Sequence, residues 1–413
     1  MDLVSGTPWW FLSAGLLRAW PPLDEPVRAD VAIIGAGITG ALVADALADA
    51  GASVVVLDRR DVATGSTAAS TGLLQFELDT ELADLIPMAG ERAAVRAWQM
   101  SVEAIDAIGQ LATALDCGAG FAPRPSLYIA TDRKSSERLQ REAEVRQGHG
   151  FPSEFLSRTQ LCEISSVPAH GAIRSAVGGE VDPYRLTHAL LTRAADRGAR
   201  IHDRTEVTAY EQRPGGVRLG TSRGHPVEAD RVVLALGYEI PPMLRADLVA
   251  LTSTYAMVTE PVASFRGWEG QEMVWEAVRP YTYLRTTSDG RILVGGEDVP
   301  FLDPQRRDRL LRSKAKRLSH RLRRMLPEIA AEPAFAWTGT FGETRDGLPY
   351  VGESPEFPHG LFALGYGGNG ITFGYIAAEI LRDLCLGKPN DDAWLYRLDR
   401  TSGGPGGDGA GED

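Results

Sequence analysis

At 413 residues the chain is long enough for two structural domains, or for one large domain with a sizeable insertion. Hydrophobic residues make up 44% and charged residues 24%, which supports a packed core. Forty-three Lys and Arg against 55 Asp and Glu give a net charge of −12, which argues against nucleic acid or an anionic membrane as partner.

Cys117, Cys162 and Cys385 are widely spaced and form no CxxC, so neither a disulfide framework nor a zinc site is expected, and a reducing cytoplasm fits. No apolar run reaches the roughly 18 residues of a membrane span, so no integral membrane segment is expected. The arm 1–27 contains TPWWFLSAGLLRAW, without a basic leader or a small-residue cleavage site. It reads as an arm packed over the first domain, with a membrane-surface helix as the alternative.

From Arg28 the order is strand, glycine loop, helix, strand: DVAIIGAG, ITGALVADALADAG, ASVVVLD. The stretch RRDVATGSTAASTGLLQFELD is too rich in Ser, Thr and Gly for a regular element. Residues 81–116 have helical spacing, with Leu82, Leu85, Ile86, Val95, Trp98, Val102, Ile105, Ile108 and Leu111 on the apolar side. SLYIAT then reads as a strand and DRKSSERLQREAEVRQGHG as a solvated helix. A second α/β segment runs from about Gly179, with a helix starting near Pro183, a hairpin in TEVTAYEQRPGGVRLGTSRG and a buried strand in ADRVVLALG. Residues 250–300 are strand-rich. A long amphipathic helix follows, carrying ten Lys and Arg between 304 and 324. Opposite a clean apolar stripe on an acidic protein, those charges read as a solvated face rather than a nucleic-acid surface. The tail 401–413 lacks the apolar residues of a core and is expected to be disordered.

Two glycine loops, some 330 residues apart, carry the chemistry. Gly35-Ala36-Gly37-Ile38-Thr39-Gly40 fits GxGxxG between a strand and a helix, and Asp58 ends the next strand 18 residues past Gly40. Gly35 permits the tight turn, Gly37 the approach of a pyrophosphate, and Gly40 close helix–strand packing, while Asp58 suits a ribose 2′-OH. The second loop, LGYGGNGIT from Leu364, also opens a helix. No further nucleotide fingerprint occurs between 140 and 300, as expected if one long FAD molecule uses both loops. The second helix N-terminus would then favour the negative charge of a reduced flavin.

The segments VAIIGAGITG, GSTAASTGLL, VDPYRLTHALL, RVVLALG, PYTYLRTTSDGRILVGG, GETRDGLPYVG and LGYGGNGIT, in this order, resemble the D-amino-acid oxidase superfamily of FAD-dependent oxidoreductases. Its members include glycine oxidase, sarcosine oxidase and γ-glutamylputrescine oxidase. The resemblance runs from about Val27 to Asp399. It implies an α/β plus α+β fold: a glutathione-reductase-type, Rossmann FAD-binding domain (28–80, 161–240, 336–400) beside a discontinuous antiparallel-sheet substrate domain (81–160, 241–335). Carried over by motif, Gly35, Gly37, Ile38, Thr39 and Gly40 would hold the pyrophosphate and Asp58 the ribose. Ser66 and Thr67 would lie along the pyrophosphate, Gly72, Leu73 and Leu74 near the flavin, and Val207 and Ala235 beside the adenosine. Gly347, Gly367, Gly368, Asn369, Gly370, Ile371 and Thr372 would line the flavin ring.

The resemblance implies oxidation of the C–N bond of a small amine or amino acid by hydride transfer to flavin, with O2 or another acceptor taking the electrons. Oxidation of a hydroxy acid or polyol phosphate, or service as an electron-transferring subunit, are the alternatives. Covalent members attach flavin through a Cys near DGLP or a His in the early Ser/Gly loop. Residues 338–352 hold no Cys and 61–76 no His, so non-covalent FAD is expected. Candidates for the substrate face are Tyr255, Trp275, Tyr281, Tyr283, Arg285, Phe341, Glu343 and Tyr366, with no single catalytic residue singled out. Where amino-acid oxidases place a carboxylate-binding Arg, this chain has Phe341, with Glu343 two residues on. That favours a larger amine over glycine or a simple D-amino acid, unless Arg285 supplies the missing cation.

Overall fold

The computed structural model describes residues 3–239 and 248–400. The expected tail at 401–413 and the domain boundary at 240/241 lie outside the described residues.

Strand Val27–Ile34 begins with alternating burial and ends buried on consecutive residues, as a strand does on entering a sheet covered on both faces. It runs parallel to Val54–Leu57 and to Val227–Leu234, and the latter runs parallel to Gly360–Leu364. Arg200–His202 extends the parallel side, and the expected hairpin, Val207–Arg213 with Gly216–Thr221, extends the other. Tyr350–Glu353 completes this eight-stranded sheet. Because the central strands are parallel, their carboxyl ends share one edge. Gly35, Asp58, Ala235 and Gly365 each follow such an end. Ligands of open α/β sheets bind at this edge.

Helices Ile38–Asp49, Pro183–Asp196 and Gly370–Cys385 pack side by side over this sheet. The first is buried along most of its length, with Ala41, Ala44 and Ala48 allowing close approach. The helix expected at 81–116 is divided at Gly90, whose φ of +86° ends Leu82–Ala89 and starts Glu91–Leu115. The apolar stripe of the longer piece joins the core of Gly370–Cys385. Part of segment 81–160 therefore packs with the helices over the eight-stranded sheet.

The second sheet has nine strands, in the order Ser5–Gly6, Pro333–Glu343, Ala250–Thr259, Ile292–Val299, Thr282–Thr286, Met273–Glu276, Ser126–Ile129, Gly171–Ser175, Ser153–Ser157. All neighbours are antiparallel except Met273–Glu276 beside Ser126–Ile129. Two sequence-based boundaries shift accordingly. The one at 335/336 falls inside Pro333–Glu343, and Gly171–Ser175, which follows the one at 160/161, pairs within this sheet. Helix Pro304–Met325 covers one face, where Leu318, Leu322 and Met325 meet Leu127, Tyr255, Met257 and Val274. Its basic residues are not all solvated. Arg307 is buried, and Lys314, Arg317 and Arg321 turn to Glu297.

The N-terminal arm packs across both parts rather than over the first alone. Ser5–Gly6 adds an edge strand, Trp9 stacks on Phe335 at 5.9 Å, and Trp10 Nε1 donates to the Ser70 carbonyl at 2.6 Å. Among the described residues no helix is long and apolar enough to cross a membrane.

One buried carboxylate holds several elements together. Glu142 accepts from the Leu82 and Ala83 N–H groups (2.9 Å each), filling orphan donors at a helix start, and from Arg146 Nε at 2.7 Å. Both side chains are 1% exposed. Glu142→Ala is expected to cost about 3–5 kcal/mol, since it leaves two helix-start donors and Arg146 Nε without their acceptor and Arg146 with only Glu77, 3.6 Å away, and denaturant unfolding measures it.

Candidate functional site

A cavity of about 1310 Å³ runs from the carboxyl edge of the eight-stranded sheet to the inner face of the nine-stranded one. Single-ligand pockets span roughly 300–1,000 Å³, so this one has room for two molecules.

At one end sits the first glycine loop. Gly35 has φ +112°, and a Cβ there would stand 2.3 Å from the Ala235 carbonyl oxygen. A Cβ on Gly40 would lie 1.9 Å from the Gly35 carbonyl oxygen. Neither position tolerates a side chain. Gly37 caps helix Ile38–Asp49 without offering a side chain, and Thr67 Oγ1 accepts from the Ile38 N–H at 2.9 Å. Asp58 braces the loop, accepting from the N–H groups of Ala36 (2.7 Å) and Arg60 (2.8 Å), although burial pushes its carboxyl upward. Ser66 Oγ, at the start of the short helix Ser66–Ala69, is buried without a hydrogen-bond partner. A helix N-terminus whose cap residue offers no side chain, a cradle kept clear by glycine and an orphan hydroxyl together fit a pyrophosphate. Val207 and Ala235 line the same end, with Arg59 and Arg60 paired to Glu239.

The second loop lies further along. Tyr366, Gly367, Gly368, Asn369, Gly370 and Ile371 line the cavity. Segment 75–80 holds them: Asp79 Oδ2 accepts from the Gly368 N–H at 2.8 Å, and Asn369 Nδ2 donates to the Glu77 carbonyl at 2.6 Å. Asp79 is a carboxyl group set at this helix start, its pKa pushed up by burial. No local motif marks it. Gly40, Gly72, Leu74, Gly347 and Thr372 do not line the cavity. They shape its walls: a Cβ on Gly72 would meet the Val181 carbonyl oxygen at 2.2 Å, and one on Gly347 the Thr80 hydroxyl at 2.6 Å.

The roof is the nine-stranded sheet, which contributes Thr254, Trp275, Tyr281, Tyr283, Asp298, Thr340 and Phe341. Tyr283 lies over Gly295, where a Cβ would stand 2.2 Å from the ring. Three sequence-based candidates fall elsewhere. Tyr255 neighbours Thr254 on its strand and so points to the opposite face, into the core under helix Pro304–Met325. Arg285 is buried outside the cavity, 3.6 Å from Glu180, donating to the Val181 carbonyl and facing the Trp10 ring at 5.3 Å. Burial lowers its guanidinium to about 10. Glu343 does not line the cavity but pairs with Arg279, which does, 2.7 Å away. Arg279, on the connection from Met273–Glu276 to Thr282–Thr286, is a cavity cation that sequence reasoning missed, as are Arg138, Arg146 and Arg345.

The pattern described as FAD dependent oxidoreductase matches residues 30–384. The chain belongs to that family. Among its relatives, glycine oxidase of Geobacillus kaustophilus (strain HTA426) is 28% identical over 370 residues, covering 86% of this chain and 93% of that protein. γ-Glutamylputrescine oxidoreductase of Escherichia coli (strain K12) is 25% identical over 386 residues, covering 91% and 88%. The fold is shared with the crystal structure of glycine oxidase from Geobacillus kaustophilus, with TM-score 0.78 and 23% identity over 91% of this chain and all of that one. It is also shared with L-amino acid deaminase from Proteus vulgaris (TM-score 0.73, 15% identity, 94% and 100% covered). As a member of the family the chain binds FAD, and the fit of the first loop agrees.

Gly37 has φ −79°, which a β-branched residue adopts, so Gly37→Val is expected to fold yet to fill the pyrophosphate space. FAD content, read from the 450/280 nm absorbance ratio, should fall about tenfold or more. Asp58→Ala should weaken FAD binding and keep flavin chemistry.

Proposed function

We propose that this protein oxidises the C–N bond of an amine or amino acid, with FAD held non-covalently along the cavity and electrons passing to O2 or another acceptor. One observation carries the reading: a single cavity joins the pyrophosphate cradle to an aromatic sheet face containing an ion pair and a buried carboxylate. Relatives named glycine oxidase and γ-glutamylputrescine oxidoreductase support the bond type. The eight-stranded sheet with its helices then forms the FAD domain, and the nine-stranded sheet the substrate domain.

Bound FAD supplies the hydride acceptor. The chain's own residues orient the substrate and exclude water: Trp275, Tyr281, Tyr283 and Phe341 wall the site, and Arg279 with Glu343 sets its charge. Non-covalent binding is supported by the lining of the cavity, which among the described residues includes no Cys and no His. Three unpaired cysteines suit a cytoplasmic setting. The purified protein should be yellow, and heat or acid should release free FAD. Flavin that stays on the denatured chain would contradict this. Anaerobic addition of amines should bleach the 450 nm band where hydroxy acids do not.

Substrate charge follows from the same geometry. Phe341 offers no donor, Arg285 is buried elsewhere, and Arg279 is already paired with Glu343. An α-carboxylate beside Phe341 would have to displace Glu343 from Arg279, reach across to Arg345 on the cavity wall or be desolvated unpaired, which is costly. Glycine, sarcosine and simple D-amino acids are therefore expected to be poor substrates beside amines of similar size. Efficient turnover of glycine, lost on Arg279→Ala, would refute this preference.

A further inference from the structure

Strand Ile292–Val299 carries two consecutive carboxylates, Glu297 and Asp298, and its register sends them to opposite faces of the sheet. Val258, Met257, Ala256 and Tyr255 oppose Leu293, Val294, Gly295 and Gly296 one for one, but the next pair is Ser253 with Val299. Two steps on one strand thus span three on the other, which is a β-bulge. Glu297 sits in it at φ +61°. A regular pleat would continue the cavity-side series of Leu293 and Gly295 to Glu297. The bulge instead turns Glu297 to the long helix, where Lys314 (3.3 Å), Arg317 (2.7 Å) and Arg321 (3.0 Å) neutralise it. Asp298 is turned into the cavity.

There Asp298 is hydrogen-bonded to the Thr254 hydroxyl, and its Oδ1 is buried with no hydrogen-bond partner. Tyr281 and Tyr283 face it from the neighbouring strand, their ring centroids 6.0 Å apart. Glu343 and Arg279 act on it from the far side of the site, and Lys314 through the sheet. Burial raises its carboxyl to about 6, so it is ionised at neutral pH. An ionised carboxylate with one open oxygen, set among phenol rings, is a receptor for an ammonium group.

Resting on the amine-oxidoreductase reading above, we propose that Asp298 docks a second, non-reacting ammonium group, so that the substrate is an amine bearing another cation. The group held there is not the one oxidised, because a carboxylate stabilises the protonated amine, which has no lone pair to assist hydride departure.

tert-Butylamine tests this on FAD-loaded protein. It has no α-hydrogen and cannot be oxidised, and like other alkylamines it stays protonated between pH 5 and 8. Its Kd, read from the flavin difference spectrum, should fall about tenfold from pH 5 to pH 8 as Asp298 ionises around 6. In Asp298→Asn the pH dependence should vanish and the Kd at pH 8 should rise about tenfold or more, with partial recovery in Asp298→Glu. This separates Asp298 from Asp79 and Glu343, which remain in the variant. FAD content checks that both variants fold. The preference in kcat/KM for 1,4-diaminobutane over butylamine should also fall about tenfold in Asp298→Asn. A wild-type Kd that ignores pH, an Asp298→Asn variant with wild-type affinity at pH 8, or an unchanged diamine preference overturns the assignment. If amines bleach the flavin and any of these results appears, only this inference falls. If no amine bleaches it, the wider reading falls as well.

Discussion

Everything at the cofactor end depends on one steric contact. Helix Ile38–Asp49 starts so close to the strand before it that a Cβ on Gly40 would lie 1.9 Å from the Gly35 carbonyl oxygen. That approach aims the helix start across the end of Val27–Ile34. Parallel pairing then brings the ends of Val54–Leu57, Val227–Leu234 and Gly360–Leu364 to the same edge. Asp58 and Ala235 follow two of these strands, and the second glycine loop follows the last. One close contact and one parallel register therefore gather residues spread over more than three hundred positions around one cavity.

The opposite wall obeys a different rule. Antiparallel strands alternate their side chains between faces, so the identity of each roof residue depends on register. Thr254 reaches the cavity and Tyr255 does not. Gly295 leaves space that the Tyr283 ring fills. The bulge at Gly296 and Glu297 divides two adjacent acids between the core helix and the cavity. The roof is thus built largely of aromatic rings, and its charges include Glu276, Asp298 and Arg279, the last paired with Glu343.

This contrast explains what could be read from the sequence. The first loop was legible because each glycine answers a local steric demand, and Asp58 follows at a spacing set by one helix and one strand. The second loop was legible as a helix start, but Asp79, which accepts from its Gly368 N–H, comes from 289 residues earlier and leaves no local trace. Arg285 and Arg279 lie six positions apart on neighbouring parts of one hairpin, and only the fold shows that the former is buried against Glu180 and the latter lines the cavity. The strands at 171–175 and 333–343 join a sheet whose other members are remote in sequence, which no local pattern announces. Periodicity reports which residues form a strand. It is silent on which sheet the strand joins.

The N-terminal arm has a consequence for the order of assembly. Ser5 bonds to Thr338, 333 positions away, and Trp10 donates to the loop that follows the short helix Ser66–Ala69. The carbonyl one residue earlier, that of Ala69, accepts from Trp337. During synthesis the arm leaves the ribosome long before its strand partner exists, so its docking awaits nearly the whole chain. Closing so long a loop costs entropy before any contact is gained. The strand contact of this arm is thereby among the last to form, and the arm settles on the turn beside the cofactor cradle.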